Sequence, residues 1–127
     1  RPLTSATAAY PLPRPRPQLV VDPKLLPEDA DLEMLLIGTA EDDGMSRIGI
    51  WKGDVLVVEE MDPYSVPPGA LVAVLLHERL VVRQLEIANQ RFHFRSPDRT
   101  YTDISGQPDD PGYFVIGQVL AVMRKLG

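Results

Sequence analysis

The sequence has no cysteine. That single absence removes disulfide scaffolds, cysteine–zinc sites and thiol catalysis together. Aromatic residues make up only 6% of the chain, too few for a platform on which nucleic-acid bases stack. The two histidines, His77 and His93, stand too far apart for a local metal motif. The acidic run Glu41-Asp42-Asp43-Gly44 lacks the alternating oxygen ligands of a calcium loop and reads as a solvated loop. Neither a metal nor a cofactor is expected. No apolar run is long enough for a membrane-spanning helix, and the start does not resemble a signal peptide, so the expected location is cytoplasmic. Positive charge is scarce as well: 13 Lys and Arg face 18 Asp and Glu, for a net charge of -5. A chain of that balance is repelled by phosphate backbones. Any reading of DNA therefore belongs to another part of the protein, and because the first residue is Arg1, that part is expected upstream.

What is present is one domain's worth of chain, 127 residues with 44% hydrophobic content. Proline is concentrated at the front. In residues 1–18, Pro11, Pro13, Pro15 and Pro17 alternate, which fixes φ repeatedly and favours an extended polyproline-like path. This segment reads as a linker or arm. Residues 19–127 read as a compact β domain, with strands predicted over 33–37, 55–59, 70–76, 80–85, 91–95 and 114–123. Proline, glycine and aspartate clusters separate them, and Leu76-His77-Glu78-Arg79-Leu80 has the look of a hairpin turn. Helical periodicity is sustained nowhere, although residues 22–29 have room for a turn or two. The expected class is mainly β: rolled or barrel-like antiparallel sheets with an extended amino-terminal arm.

Four pieces, in order, carry a family resemblance. Val21-Asp22-Pro23 and Ala30-Asp31 precede the first core strand. Then come Gly44-Met45-Ser46-Arg47-Ile48-Gly49-Ile50-Trp51-Lys52-Gly53-Asp54 with its apolar strand, Pro68-Gly69-Ala70-Leu71-Val72, and Gly117-Gln118-Val119-Leu120-Ala121-Val122-Met123-Arg124. Together they resemble the carboxy-terminal domain of LexA/UmuD-type repressors and autopeptidases, from residue 19 to the end. The resemblance implies a β-rich domain that dimerises through Phe114, Val115, Ile116, Gly117, Gln118 and Val119. It also implies a serine, activated by a neutral lysine, that attacks an Ala-Gly bond in the domain's own arm. Burial is what makes such a lysine neutral.

The sequence departs from that pattern at each chemical position. Counting back from Gly49-Ile50 puts Gly44 in the serine's place, whereas counting forward from the first strand puts Ala40 there. The register between residues 38 and 49 is left open. Ser46 is the fallback nucleophile, though a turn serine bonded to its own backbone is the plainer reading. The lysine's place falls on Arg83, in Val82-Arg83-Gln84-Leu85, and an arginine takes no proton from serine near neutral pH. Its guanidinium is expected to pair instead with Glu41, Asp42 or Asp43. In the arm, Ala8-Ala9-Tyr10 occupies the scissile position, with a bulky tyrosine in place of a small residue. The resulting expectation is the dimerisation and regulatory domain of a LexA-like repressor of the DNA-damage or phage type, without self-cleavage. Its implied partners are a second copy, operator DNA through an upstream domain, and a RecA filament or an external protease. The two alternatives are an active autopeptidase using Ser46 and a UmuD-like accessory subunit of a translesion polymerase.

Overall fold

The computed structural model describes residues 26–124. The arm (residues 1–18), with Ala8, Ala9 and Tyr10, therefore lies outside the described residues, as does the first half of the turn expected over 22–29. Seven strands follow one another: β1 (Leu35–Thr39), β2 (Val55–Glu60), β3 (Leu71–Leu76), β4 (Arg79–Ala88), β5 (Arg91–Arg95), β6 (Ile104–Gly106) and β7 (Tyr113–Met123). Three short 3-10 turns, Leu32–Met34, Ser46–Ile48 and Pro63–Ser65, supply the only helical turns among the described residues. None of these is long and apolar enough to cross a membrane.

The strands form one antiparallel sheet in the order β1-β2-β7-β3-β4-β5-β6. It is rolled rather than flat. Glu41, two residues past β1, donates its amide to the Leu80 carbonyl at 2.8 Å and accepts the Leu80 amide on its side chain at 2.9 Å. Leu80 lies on β4, with three strands between it and β1 in the sheet order, and only curvature brings the two together. Inside the roll, Leu36, Leu56, Val58, Ala73, Leu80, Val82 and Ile116 pack with Met45 and Ile50 from the β1–β2 connection. The opposite face carries a second core built around Val72, Val74, Leu85, Phe92, Phe94 and Tyr113. Because both faces are covered, the central strands are continuous apolar runs instead of alternating ones.

The expected hairpin at residues 76–80 is present. His77 and Glu78 form its two-residue loop with φ of 48° and 69°, the mirror-image turn that matches the twist of paired strands. A second such loop, Asn89-Gln90 (φ 53° and 63°), joins β4 to β5. It extends β4 to Ala88, past the predicted end at residue 85. β6 was not expected, because three residues show no alternation to read.

The proposed pairing strand occupies an interior place. β7 lies between β2 and β3, meeting β3 over residues 113–118 and β2 over residues 117–123. Within the described residues, the β3-side edge of residues 119–123 carries no strand. Gly117 marks the handover, where β7 comes so close to β2 that a side chain has no room.

Candidate functional site

The segment between β1 and β2 determines the chemistry of the site. Just past β1, Ala40 donates its amide to the Asp54 carbonyl and accepts from the Gly53 amide. Ala40 is thereby fixed in the core at the mouth of β2. The chain then turns through Asp42, Asp43 and Gly44. The Gly44 amide donates to Asp42 Oδ1 at 3.0 Å, and Met45 anchors the following 3-10 turn in the core. That turn ends on Gly49, whose φ of 95° is one that side-chain-bearing residues rarely adopt.

Arg83 projects from β4 into this turn. Its side chain is only 4% exposed. It forks onto Asp42, with Nη2 to Oδ2 at 2.6 Å and Nη1 to Oδ1 at 3.1 Å, and Nη1 also donates to the Val82 carbonyl at 2.8 Å. Its Cζ lies 5.2 Å from the centre of the Tyr101 ring, within cation–π range. The Tyr101 hydroxyl in turn accepts the Asp43 amide at 3.2 Å, and the Ser96 hydroxyl donates to the Gly44 carbonyl. Burial pushes the Asp42 carboxyl up, but the bonds from Arg83 and from the Gly44 amide, with the charge of Arg83, outweigh it and hold the group below its ordinary range.

Gly44 and Arg83 share one small space. A Cβ at position 44 would stand 2.2 Å from Arg83 Nη1 and 2.6 Å from its Cζ. Positions 44 and 83, the two that counting back from Gly49 and on from Gly69 singles out, thus meet across the fold. Ala40, the other candidate, is held at the Asp54 end of the loop. Ser46 stands two residues beyond Gly44 in its own 3-10 turn, its amide donating to the Asp43 carbonyl, and the cluster around Arg83 is assembled without it. The reading of residues 41–43 as a solvated loop is corrected. Glu41 holds Leu80, Asp42 holds Arg83, and Asp43 Oδ1 accepts the Lys52 amide at 2.7 Å. Nothing local in the sequence marks Ser96 or Tyr101, which reach back more than fifty positions.

A second buried carboxylate locks the neighbouring turn. Asp54, only 3% exposed in its side chain, caps the Trp51 amide and takes a two-pronged contact from Arg124, Nε to Oδ1 and Nη2 to Oδ2, both at 2.8 Å. The end of β7 is thereby latched to the start of β2. The bond from Arg124 holds the Asp54 carboxyl low against its burial, and the Trp51 amide adds to this. A carboxyl lowered in the folded state contributes stability above its unfolded pKa, near 3.9, and loses it as pH falls through the folded value. Asp54→Asn should therefore lower the unfolding midpoint by several degrees at pH 7. Thermal melts should show that gap narrowing as pH falls below the unfolded carboxyl's range and closing only once the lowered native carboxyl is itself protonated.

The fold and this turn identify the class: residues 14–120 match the Peptidase S24-like family model, and the chain belongs to that family, the LexA/UmuD-type group. No curated protein matches the chain.

Proposed function

We propose that this is the dimerising, regulatory domain of a LexA-like transcriptional repressor and that it does not cut itself. The observation that carries the reading is the contact of Gly44 with Arg83. Acyl transfer of the family type needs a hydroxyl and, within hydrogen-bond reach, a base able to accept its proton. Position 44 has no side chain, and the space beside it is filled by a guanidinium already committed to Asp42, Val82 and Tyr101. An arginine neither accepts that proton nor releases one near neutral pH. Support for dimerisation comes from β7 at residues 119–123, an apolar stretch whose β3-side edge pairs with no strand among the described residues.

In this reading an upstream domain contacts operator DNA in the cytoplasm, and the pair of copies raises its effective concentration on two half-sites. Derepression then comes from outside the domain, through a protease or a partner such as a RecA filament. Native mass spectrometry over time, from neutral to strongly alkaline pH, tests both halves of the reading beside a self-cleaving family member. The expected record is an uncut chain at every pH and a two-copy species at neutral pH. Loss of the arm near residues 8–10 would overturn the first half and make Ser46 the nucleophile. A species that stays single at tens of micromolar would overturn the second.

A further inference from the structure

Away from the Gly44 turn, β2 and β7 diverge past Gly117 and leave an open groove of about 450 Å³, within the range of ordinary ligand sites. Its walls are aromatic and prolyl: Phe92, Tyr113, Phe114, Pro63 and Pro108, with Met34 and Met61. Phe92 and Tyr113 are fixed in place by the core, and Tyr64 lies edge-on to Phe92 at 5.4 Å between centroids. The rim is acidic, carrying Glu60 and Asp62.

We propose that this groove binds the chain's own residues 11–17, Pro-Leu-Pro-Arg-Pro-Arg-Pro, in an extended polyproline conformation. Rigid aromatic and prolyl walls suit prolines, because a segment whose φ is already fixed loses little entropy on docking. At three residues per turn, Leu12 and Pro15 form one ridge and Pro13 with Arg16 the next, so an apolar face ends in a cation. The charges complement one another. The first eighteen residues carry Arg1, Arg14 and Arg16 and no acidic residue, while the rim presents Glu60 and Asp62.

The connection is also long enough. The described chain starts at Leu26 and reaches the groove wall at Met34. The nine residues from Pro17 to Leu26 can span up to about 30 Å when extended. Docking here would hold the arm on the face bounded by Phe92 and Tyr113, away from the Gly44 turn, and would do so whether or not the domain belongs to a repressor.

The absence of cysteine makes the test direct. A spin label on Gln18→Cys, just outside the docked segment, in the full, isotope-labelled chain should broaden the amide signals of Met61, Asp62, Tyr113 and Val115 most strongly, to below about half of their unlabelled intensity. Adding Arg14→Glu and Arg16→Glu should relieve at least half of that broadening, and Glu60→Lys in the same background should bring part of it back. Broadening centred on Gly44 and Arg83, or no localised broadening, overturns the proposal. Broadening seen only when the label and the isotope are on different molecules overturns it too, in favour of the arm of a second copy.

Discussion

Gly117→Ala is expected to remove about 4 kcal/mol or more of stability, a large share of what a domain this size possesses. A Cβ at that position would lie 2.0 Å from the Glu59 carbonyl oxygen, 2.8 Å from its carbon and 2.9 Å from Glu60 Cα. All three are backbone atoms, so no side-chain rotation relieves the overlap. The only escape is for β7 to move off β2, which pulls apart the pairing of Glu60 with Gly117 and of Glu59 with Gln118. Since β7 joins the β1–β2 side of the sheet to β3, the damage spreads to both cores. Gly49→Ala makes a suitable comparison. Nothing lies within 4 Å of its added carbon, but φ is 95°, so the expected cost is only the left-handed backbone strain of about 1 kcal/mol. Urea unfolding of the two variants beside the wild type should separate them clearly, with Gly117→Ala losing its cooperative transition or most of its midpoint. A loss below about 1 kcal/mol for Gly117→Ala would mean that β2 and β7 separate easily and that the sheet is not organised around that crossing.

The strands that could be read from the sequence are those with strong punctuation. Val66-Pro67-Pro68-Gly69 announces β3, and the Pro108–Gly112 stretch announces β7, because proline and glycine fix where pairing must stop. β6 lacks the length to show a period, and Asn89-Gln90 closes a tight hairpin without the glycine that usually signals one. The site divides along the same line. Ordered motifs carried the counting from Gly49 and Gly69 to positions 44 and 83, which the structure sets side by side. What those positions touch is not reached by counting, since Asp42 and Arg83 are 41 residues apart and Asp54 and Arg124 are 70 apart. Pairing at such distances is created by the roll of the sheet. Composition makes residues 41–43 look like a solvated loop, and the curvature that brings β4 beneath them is what gives Glu41 and Asp42 their partners, while Asp43 turns to the Lys52 amide.

Arg83→Ala is expected to cost about 3 kcal/mol at neutral pH, because it strands a partly buried carboxylate and leaves a void where the guanidinium lay. The pH dependence carries the more specific signal. In the native protein the Asp42 carboxyl is held low, so its contribution is present above about pH 4 and is lost as pH falls. Without Arg83 the burial that already opposes ionisation is no longer outweighed, and protonating Asp42 then favours the folded state. The deficit of the variant should therefore shrink on acidification, which chemical unfolding at pH 7 and pH 4 would measure. A change below about 0.5 kcal/mol at pH 7 would mean that the fork onto Asp42 does not support the turn. The partner variant Gly44→Ser asks whether the two positions exclude one another. Its Cβ would overlap the guanidinium, so alone it must break the fork or displace the turn. Arg83→Lys withdraws the planar head group and leaves a slimmer side chain. Together the two changes should cost less than the sum of their separate costs, by about 1 kcal/mol or more, since the second removes the clash that makes the first expensive. Strict additivity would show that Gly44 and Arg83 do not compete for one space, and the proposal that the domain does not cut itself would lose the observation that carries it. A favourable coupling would mean that glycine at 44 and arginine at 83 are a matched pair, each making a substitution at the other costly.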